Sequence, residues 1–138
     1  NQFVDNESGY NKIETYKEFI EKVNNTIASF RKGVKLLKLS GNKISAFAAS
    51  AKGNTLLNCA GITNGEIDFI FDETQEKINK YSPGTEIMVV GLEDLEKESP
   101  DYLIVLSWNF LEDIIKKTRE VGYKGRYIVG IPEFKIID

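Results

Sequence analysis

The residues with the most chemical potential fall in three short segments, each following an apolar run. The first reads Ala48-Ala49-Ser50-Ala51-Lys52-Gly53-Asn54-Thr55. A small-residue loop that opens a helix leaves backbone N–H groups free to meet an anion, and the helix dipole favours negative charge there. Lys52 adds an ammonium group, while Ser50, Asn54 and Thr55 add neutral donors. The segment stands where a dinucleotide fold carries G-x-G-x-x-G, and Asp72 ends the next apolar run about twenty residues on. Only the last glycine is present, as Gly53; Ala48 and Ser50 occupy the first two positions. Their side chains stand where backbone must approach a pyrophosphate, which argues against ordinary NAD binding. The segment is not a Walker A loop either, because Lys52 precedes its glycine. The plainer alternative is tight helix–strand packing plus an N-cap, with a solvent-facing lysine.

The second segment runs from Asp72 to Thr85 and holds Lys77, Lys80, Tyr81 and the turn Ser82-Pro83-Gly84-Thr85. A tyrosine beside two lysines can stack on a base or sugar while the lysines meet phosphate. The same residues also suit a solvated loop whose tyrosine covers a core edge, and spacing alone favours that reading. Asp72 either accepts ribose hydroxyls or ends a strand and caps the next turn. The third segment, Ser107-Trp108-Asn109-Phe110, follows another apolar run. Asn109 is a competent helix N-cap, and Trp108 suits a hydrophobic lid or interior packing. Cys59, between Leu57 and Ile62, reads as a buried structural thiol. The acidic stretch Leu92 to Glu98 reads as a solvated helix face.

What positions these segments is a single domain. The chain has 138 residues, 41% hydrophobic and 28% charged, which is enough for one core and too little for two. A net charge of -3 removes the electrostatic footprint of a nucleic-acid binder. No apolar stretch approaches the roughly 20 residues that span a bilayer. With no histidine and one cysteine, imidazole catalysis, a disulfide within the chain and thiolate zinc clusters are excluded. Cytoplasmic placement is the expectation.

Residues 1–11 read as a linker-like start and residues 12–138 as the domain. Ile13, Tyr16, Phe19, Ile20, Val23, Ile27, Phe30, Val34 and Leu37 recur at helical spacing, predicting a long helix that stops at Gly41-Asn42. Its stripe either covers the domain's own sheet or extends toward something absent from this chain; ordinary amphipathic packing favours the first. Strands are predicted over Lys43 to Ala49, Ile67 to Phe71, Ile87 to Val90, Tyr102 to Leu106 and Tyr127 to Ile131, with a last one over Phe134 to Ile137. Helices are predicted over Gly53 to Cys59 and Asn109 to Val121, the latter with Phe110, Ile114, Ile115 and Thr118 on one side. Apolar strands separated by helices predict an α/β, Rossmann-like, doubly wound and mostly parallel sheet of five to six strands, preceded by the long helix.

In order along the chain, the three segments resemble the C-terminal domain of the S-adenosylmethionine-dependent sugar C-methyltransferases. The resemblance runs from about Tyr16 to Ile137. It is carried by Ala51-Lys52-Gly53-Asn54-Thr55-Leu56-Leu57, by Asp72 to Gly84, and by Trp108-Asn109-Phe110. The middle stretch matches the family pattern Asp-x-Asn-Pro-x-Lys-Gln-Gly-Lys-Tyr-x-Pro-Gly without a gap at Asp72, Lys77, Lys80, Tyr81, Pro83 and Gly84. This sequence departs from the pattern at Ala48 and Asn79, where the family has glycine, and at Gln75, Met88 and Ser107, where it has proline.

The resemblance implies a domain that helps hold a nucleotide-linked deoxysugar, with the diphosphate near Ser50 to Thr55. Lys77, Tyr81, Trp108 and Asn109 would then line a cleft shared with a methyltransferase domain. It further implies no catalytic residue and no cofactor in this chain, S-adenosylmethionine and zinc belonging to other parts of the full enzyme. A stand-alone Rossmann-like interaction module is the alternative.

Overall fold

The computed structural model describes residues 12–138 in full and, of residues 2–11, the backbone alone. The linker-like start expected over residues 1–11 therefore lies outside the fully described residues. The long helix α1 (Gln2–Leu39) ends where the sequence places its stop, and the Asn42 side-chain amide donates to the Leu37 carbonyl at 2.9 Å. Five parallel strands follow: β1 (Ile44–Phe47), β2 (Phe69–Asp72), β3 (Met88–Gly91), β4 (Tyr102–Val105) and β5 (Arg126–Val129). The sixth, β6 (Lys135–Ile137), runs antiparallel to β5. Their order across the sheet is β3-β2-β1-β4-β5-β6, that of a doubly wound dinucleotide-type fold.

Side chains alternate across this sheet, and each face has its own core. On one face Ile44, Ala46, Ile70, Ile104 and Ile128 pack under α1 and α2 (Ala51–Ala60), with Phe30, Val34 and Leu57 fully buried. On the other face Phe47, Phe71, Leu103, Val105 and Tyr127 pack under the short α3 (Leu95–Glu98) and α4 (Leu111–Glu120). Burial on both faces explains why the strands read as unbroken apolar runs.

Four local expectations need correction. The stripe of α1 covers the sheet only in its second half; Ile13, Tyr16, Phe19, Ile20 and Val23 are exposed. Phe110 lies outside α4 and is 62% exposed, because Trp108–Phe110 form a separate 3-10 turn that swings it away from Ile114 and Thr118. For the same reason Asn109 sits inside that turn and does not cap α4, which starts with no side-chain cap. Cys59 is exposed, since α2 turns Gly53, Leu56, Leu57 and Ala60 toward the sheet and its neighbours at 58 and 59 outward. Among the described residues, no helix is long and apolar enough to cross a membrane.

Candidate functional site

In open parallel sheets, ligands bind beyond the carboxyl ends of the strands, where the strand order reverses. Here that point lies between β1 and β4, and the first and third segments flank it. The chain leaves β1 through Ala48, whose φ of 80° turns it sharply. The Ala48 N–H still reaches the Phe71 carbonyl at 2.8 Å, and the next N–H, of Ala49, donates to the Asp72 carboxylate at 2.7 Å. Ser50 then caps α2, its hydroxyl accepting from the Gly53 N–H at 3.1 Å. The N–H groups of Ala51 and Lys52 lie in the first turn, where the helix offers them no acceptor of its own.

Gly53 shows why this loop keeps one glycine. A Cβ there would collide with the Cβ of Leu106, so the bare backbone lets α2 rest directly on the chain leaving β4. The other end of the site is held as tightly. The Asn54 and Asn58 side-chain amides both donate to the Pro83 carbonyl, at 3.1 and 3.2 Å. Gly84 next to it has φ of 77°, and a Cβ on it would strike the Asn58 side chain. Ser82 and Thr85 share a short hydroxyl–hydroxyl bond inside the turn, and Thr85 also donates to Asn54 at 3.3 Å. The Ser82–Thr85 turn is thus fastened to α2 through side chains, although the two are far apart in sequence.

Asp72 is the joint between the first and second segments. Only 8% exposed, it accepts from Ala49 and from the Thr74 N–H at 2.8 Å. Burial pushes its carboxyl upward, but the Thr74 and Ala49 N–H groups, helped by the Lys77 charge, outweigh this and hold it below the usual carboxylate range. Of the two roles open to Asp72, strand-end capping is the one the geometry displays. Lys77 closes the same joint from the outside, its ammonium donating to the Ala49 carbonyl at 2.8 Å.

These contacts shape two clefts on either side of the α2 N-terminus. The first, of about 310 Å³, brings Ser50 and Asn54 together with Lys77, Lys80, Tyr81 and Pro83 over a floor of Ile70, Val89 and Leu106. The second, of about 270 Å³, brings Ser50, Ala51 and Lys52 to Trp108, Asn109 and Phe110. Ser50 and Leu106 belong to both. The helix start is therefore not plugged by packed side chains, and it faces both aromatic segments. Tyr81 is 60% exposed in the first cleft. In the second, Trp108 is half-buried and packs on the core while Phe110 stands out into solvent.

The sequence-predicted residues thus fall into groups. Ser50, Asn54, Lys77, Tyr81 and Pro83 meet in one cleft; Ser50, Ala51, Lys52, Trp108 and Asn109 meet in the other. Gly53, Asp72 and Gly84 lie behind them as scaffold, and Thr55 points away, bonding back to the Ala51 carbonyl at 3.0 Å. Lys80, read with Lys77 as a lysine that can meet phosphate, also lines the first cleft, and Phe110 of the third segment lines the second; Glu76 lines the first without having been singled out. Nothing in the sequence around Glu76 signals its place there.

A profile of the family described as "C-methyltransferase C-terminal domain" matches residues 3–132. Among curated proteins, the C-methyltransferase NovU of Streptomyces niveus is 33% identical over 123 residues, which cover 88% of this chain and 29% of NovU. The chain therefore spans less than a third of the length of that relative.

Proposed function

The chain belongs to the C-methyltransferase C-terminal domain family, and from that premise we propose that it is the substrate-holding part of a C-methyltransferase acting on a nucleotide-linked deoxysugar. The observation that carries this reading is the α2 N-terminus standing open between two clefts, with Lys77 and Lys80 on one side and Lys52 on the other. Free N–H groups and ammonium groups around one helix start suit a diphosphate. The exposed Tyr81 face suits a base or sugar ring on one side, and Trp108 with Phe110 offers a second apolar wall. The physical task is orientation: a remote anionic handle is anchored so that the sugar carbon meets a methyl donor held elsewhere.

We assign S-adenosylmethionine and zinc to parts of a longer polypeptide, a reading supported by a chain with no histidine and a single cysteine. The loop after β1 carries the side chains of Ala48 and Ser50 where a cofactor-binding loop needs bare backbone. The proposed partners are therefore the nucleotide sugar and the methyltransferase domain of the same polypeptide or complex. The proposed compartment is the cytoplasm, a reducing setting in which an exposed lone thiol such as Cys59 stays unpaired.

Titration calorimetry with a thymidine diphosphate sugar tests the reading. Binding is expected, and Lys77→Ala and Lys52→Ala are each expected to weaken it on the order of tenfold, the effect of one lost charge-assisted contact. The chain incubated with S-adenosylmethionine and the same sugar is expected to transfer no methyl group. Undiminished affinity in both variants would remove the assigned site. One observation favours a second reading, an interaction module without a ligand: the exposed first half of α1. A null titration with the fold intact would select it.

A further inference from the structure

The apolar positions of α1 keep a strict spacing. Ile13, Tyr16, Ile20, Val23, Ile27, Phe30, Val34 and Leu37 are separated alternately by three and four residues, the seven-residue repeat of helices that pack side by side. Two different environments share this one seam. From Ile27 onward it is covered: Phe30 and Val34 are fully buried, Ile27 and Leu37 pack on the same core, and Arg31 donates to the Ala60 carbonyl at 2.7 Å. Ahead of Thr26, whose hydroxyl lies 3.4 Å from the Pro132 carbonyl, every residue from Lys12 to Asn25 is exposed. Tyr16 and Phe19 are 65% and 63% exposed and Ile13 56%. The helix thus carries about 20 Å of uncovered seam past the edge of its own domain. A helical stretch of that length is marginal in water unless its apolar face is packed.

The charges beside the seam select what covers it. The flanking positions along the exposed half are Lys12, Lys17, Phe19 and Asn24; the acids Glu14, Glu18 and Glu21 lie on the opposite side of the helix. Among the described residues, a second copy packed in parallel would set Lys12 against Lys17 of the other chain, and an antiparallel copy would offer no acid to either lysine. The fit is to an apolar helix or face edged with carboxylates. The family is described as a C-terminal domain, and 71% of NovU lies outside the matched region, so in such a protein the adjoining polypeptide lies ahead of α1.

We infer that residues 13–23 of α1 form a docking seam for an acid-edged apolar surface of the methyltransferase part preceding this domain in the same polypeptide. One helix then belongs to two cores and fixes the angle between them, holding the two clefts at a constant distance from the methyl donor. The inference rests on the reading that this chain is part of a larger C-methyltransferase, and not on any ligand in the clefts.

Hydrogen exchange compares the polypeptide as its gene encodes it with the 138-residue chain. In the longer protein the amides of residues 12–24 are expected to exchange on the order of tenfold more slowly, while those of residues 27–37 match in the two. The double variant Tyr16→Asp/Ile20→Asp is expected to abolish the difference without altering thermal unfolding of the 138-residue chain, because both positions are exposed there. Equal exchange in the two proteins would overturn the inference. So would slowing that appears in the 138-residue chain as its concentration rises, which would identify a second copy as the occupant, or a gene that encodes nothing ahead of α1. No nucleotide enters the measurement, so a failed titration at the clefts and a failed docking seam are separate results.

Discussion

Replacing Asp72 with alanine removes the carboxylate on which the loops after β1 and β2 converge. Two hydrogen bonds to a charged acceptor are lost, from Ala49 at 2.7 Å and Thr74 at 2.8 Å. Such bonds are worth about 1.5–3 kcal/mol each where no water can replace them. Thr74 is exposed and water takes its N–H readily, so its share is small; Ala49 is half-buried and keeps most of the loss. Removing the carboxylate also returns its desolvation cost, which leaves a net destabilisation of about 2 kcal/mol at pH 7, or about 7 °C in the midpoint of a chain of this length. The pH dependence follows from the direction in which Asp72 is held. Its carboxyl is below the ordinary value of 3.8 in the fold, so its contribution is complete above that value and is lost as pH falls through the lower, folded one. Urea unfolding of both proteins between pH 7 and pH 3 should show the gap between them closing at the acid end. Glu66, which burial pushes up but the Thr63 N–H and Lys35 hold low, adds to the acid slope of both proteins and cancels in the difference. A gap below about 0.5 kcal/mol at pH 7, within the range of an ordinary surface change, would refute the role given to Asp72, as would a gap that does not change with pH.

Two other outcomes follow from packing alone. Gly53→Ala gains about 1 kcal/mol of helix propensity, but its methyl group meets the Leu106 Cβ, and overpacking of that kind costs about 1–3 kcal/mol. A net loss of about 1 kcal/mol in urea unfolding is expected, with weaker nucleotide-sugar binding because α2 must lift from the sheet. Cys59, exposed on the outer face of α2, is expected to react fully with iodoacetamide in the folded protein, with no shift in the unfolding midpoint; protection of the thiol would contradict the orientation of α2.

The sheet was legible because burial on both faces leaves a run of apolar residues at every strand, and each predicted strand is present within two residues of its limits. The segments lying at the strand ends were legible for the same reason, since the topology puts every strand-to-helix loop at one edge. What the sequence withheld was the pairing between loops. Nothing near Asn54 or Asn58 signals that both amides are aimed at Pro83, and nothing near Asp72 signals that its partner is the backbone of Ala49. Those bonds span 23 to 29 residues and exist only once β1 and β2 are side by side. Phe110 and Asn109 failed for a local reason: a 3-10 turn advances three residues per turn, so the periodicity read through Asn109–Val121 slips out of phase by the time α4 begins. The stripe of α1 failed differently. Its spacing is uniform from Ile13 to Leu37, and a uniform pattern contains no mark of where one covering surface ends.

The same long-range bonds bear on how the proposed substrate-holding role would contribute to a rate. Binding energy at a remote handle accelerates chemistry only if the handle is held rigidly with respect to the reacting carbon. Each wall of the first cleft is tied to another element: Lys77 to the Ala49 carbonyl, Ala49 to Asp72, Pro83 to Asn54 and Asn58, and Thr85 to Asn54. A ligand entering such a cleft has little backbone left to order, so its contacts are spent on position instead of on folding the loops around it. The second cleft lacks comparable ties; Asn109 and Phe110 are exposed on a short 3-10 turn that no side chain caps. The two clefts therefore suit different tasks. Under the proposed reading, the stitched cleft with Lys77 and Tyr81 would take the part of the substrate held fixed, and the looser one at the point where strand order reverses would take the part nearer the reacting carbon.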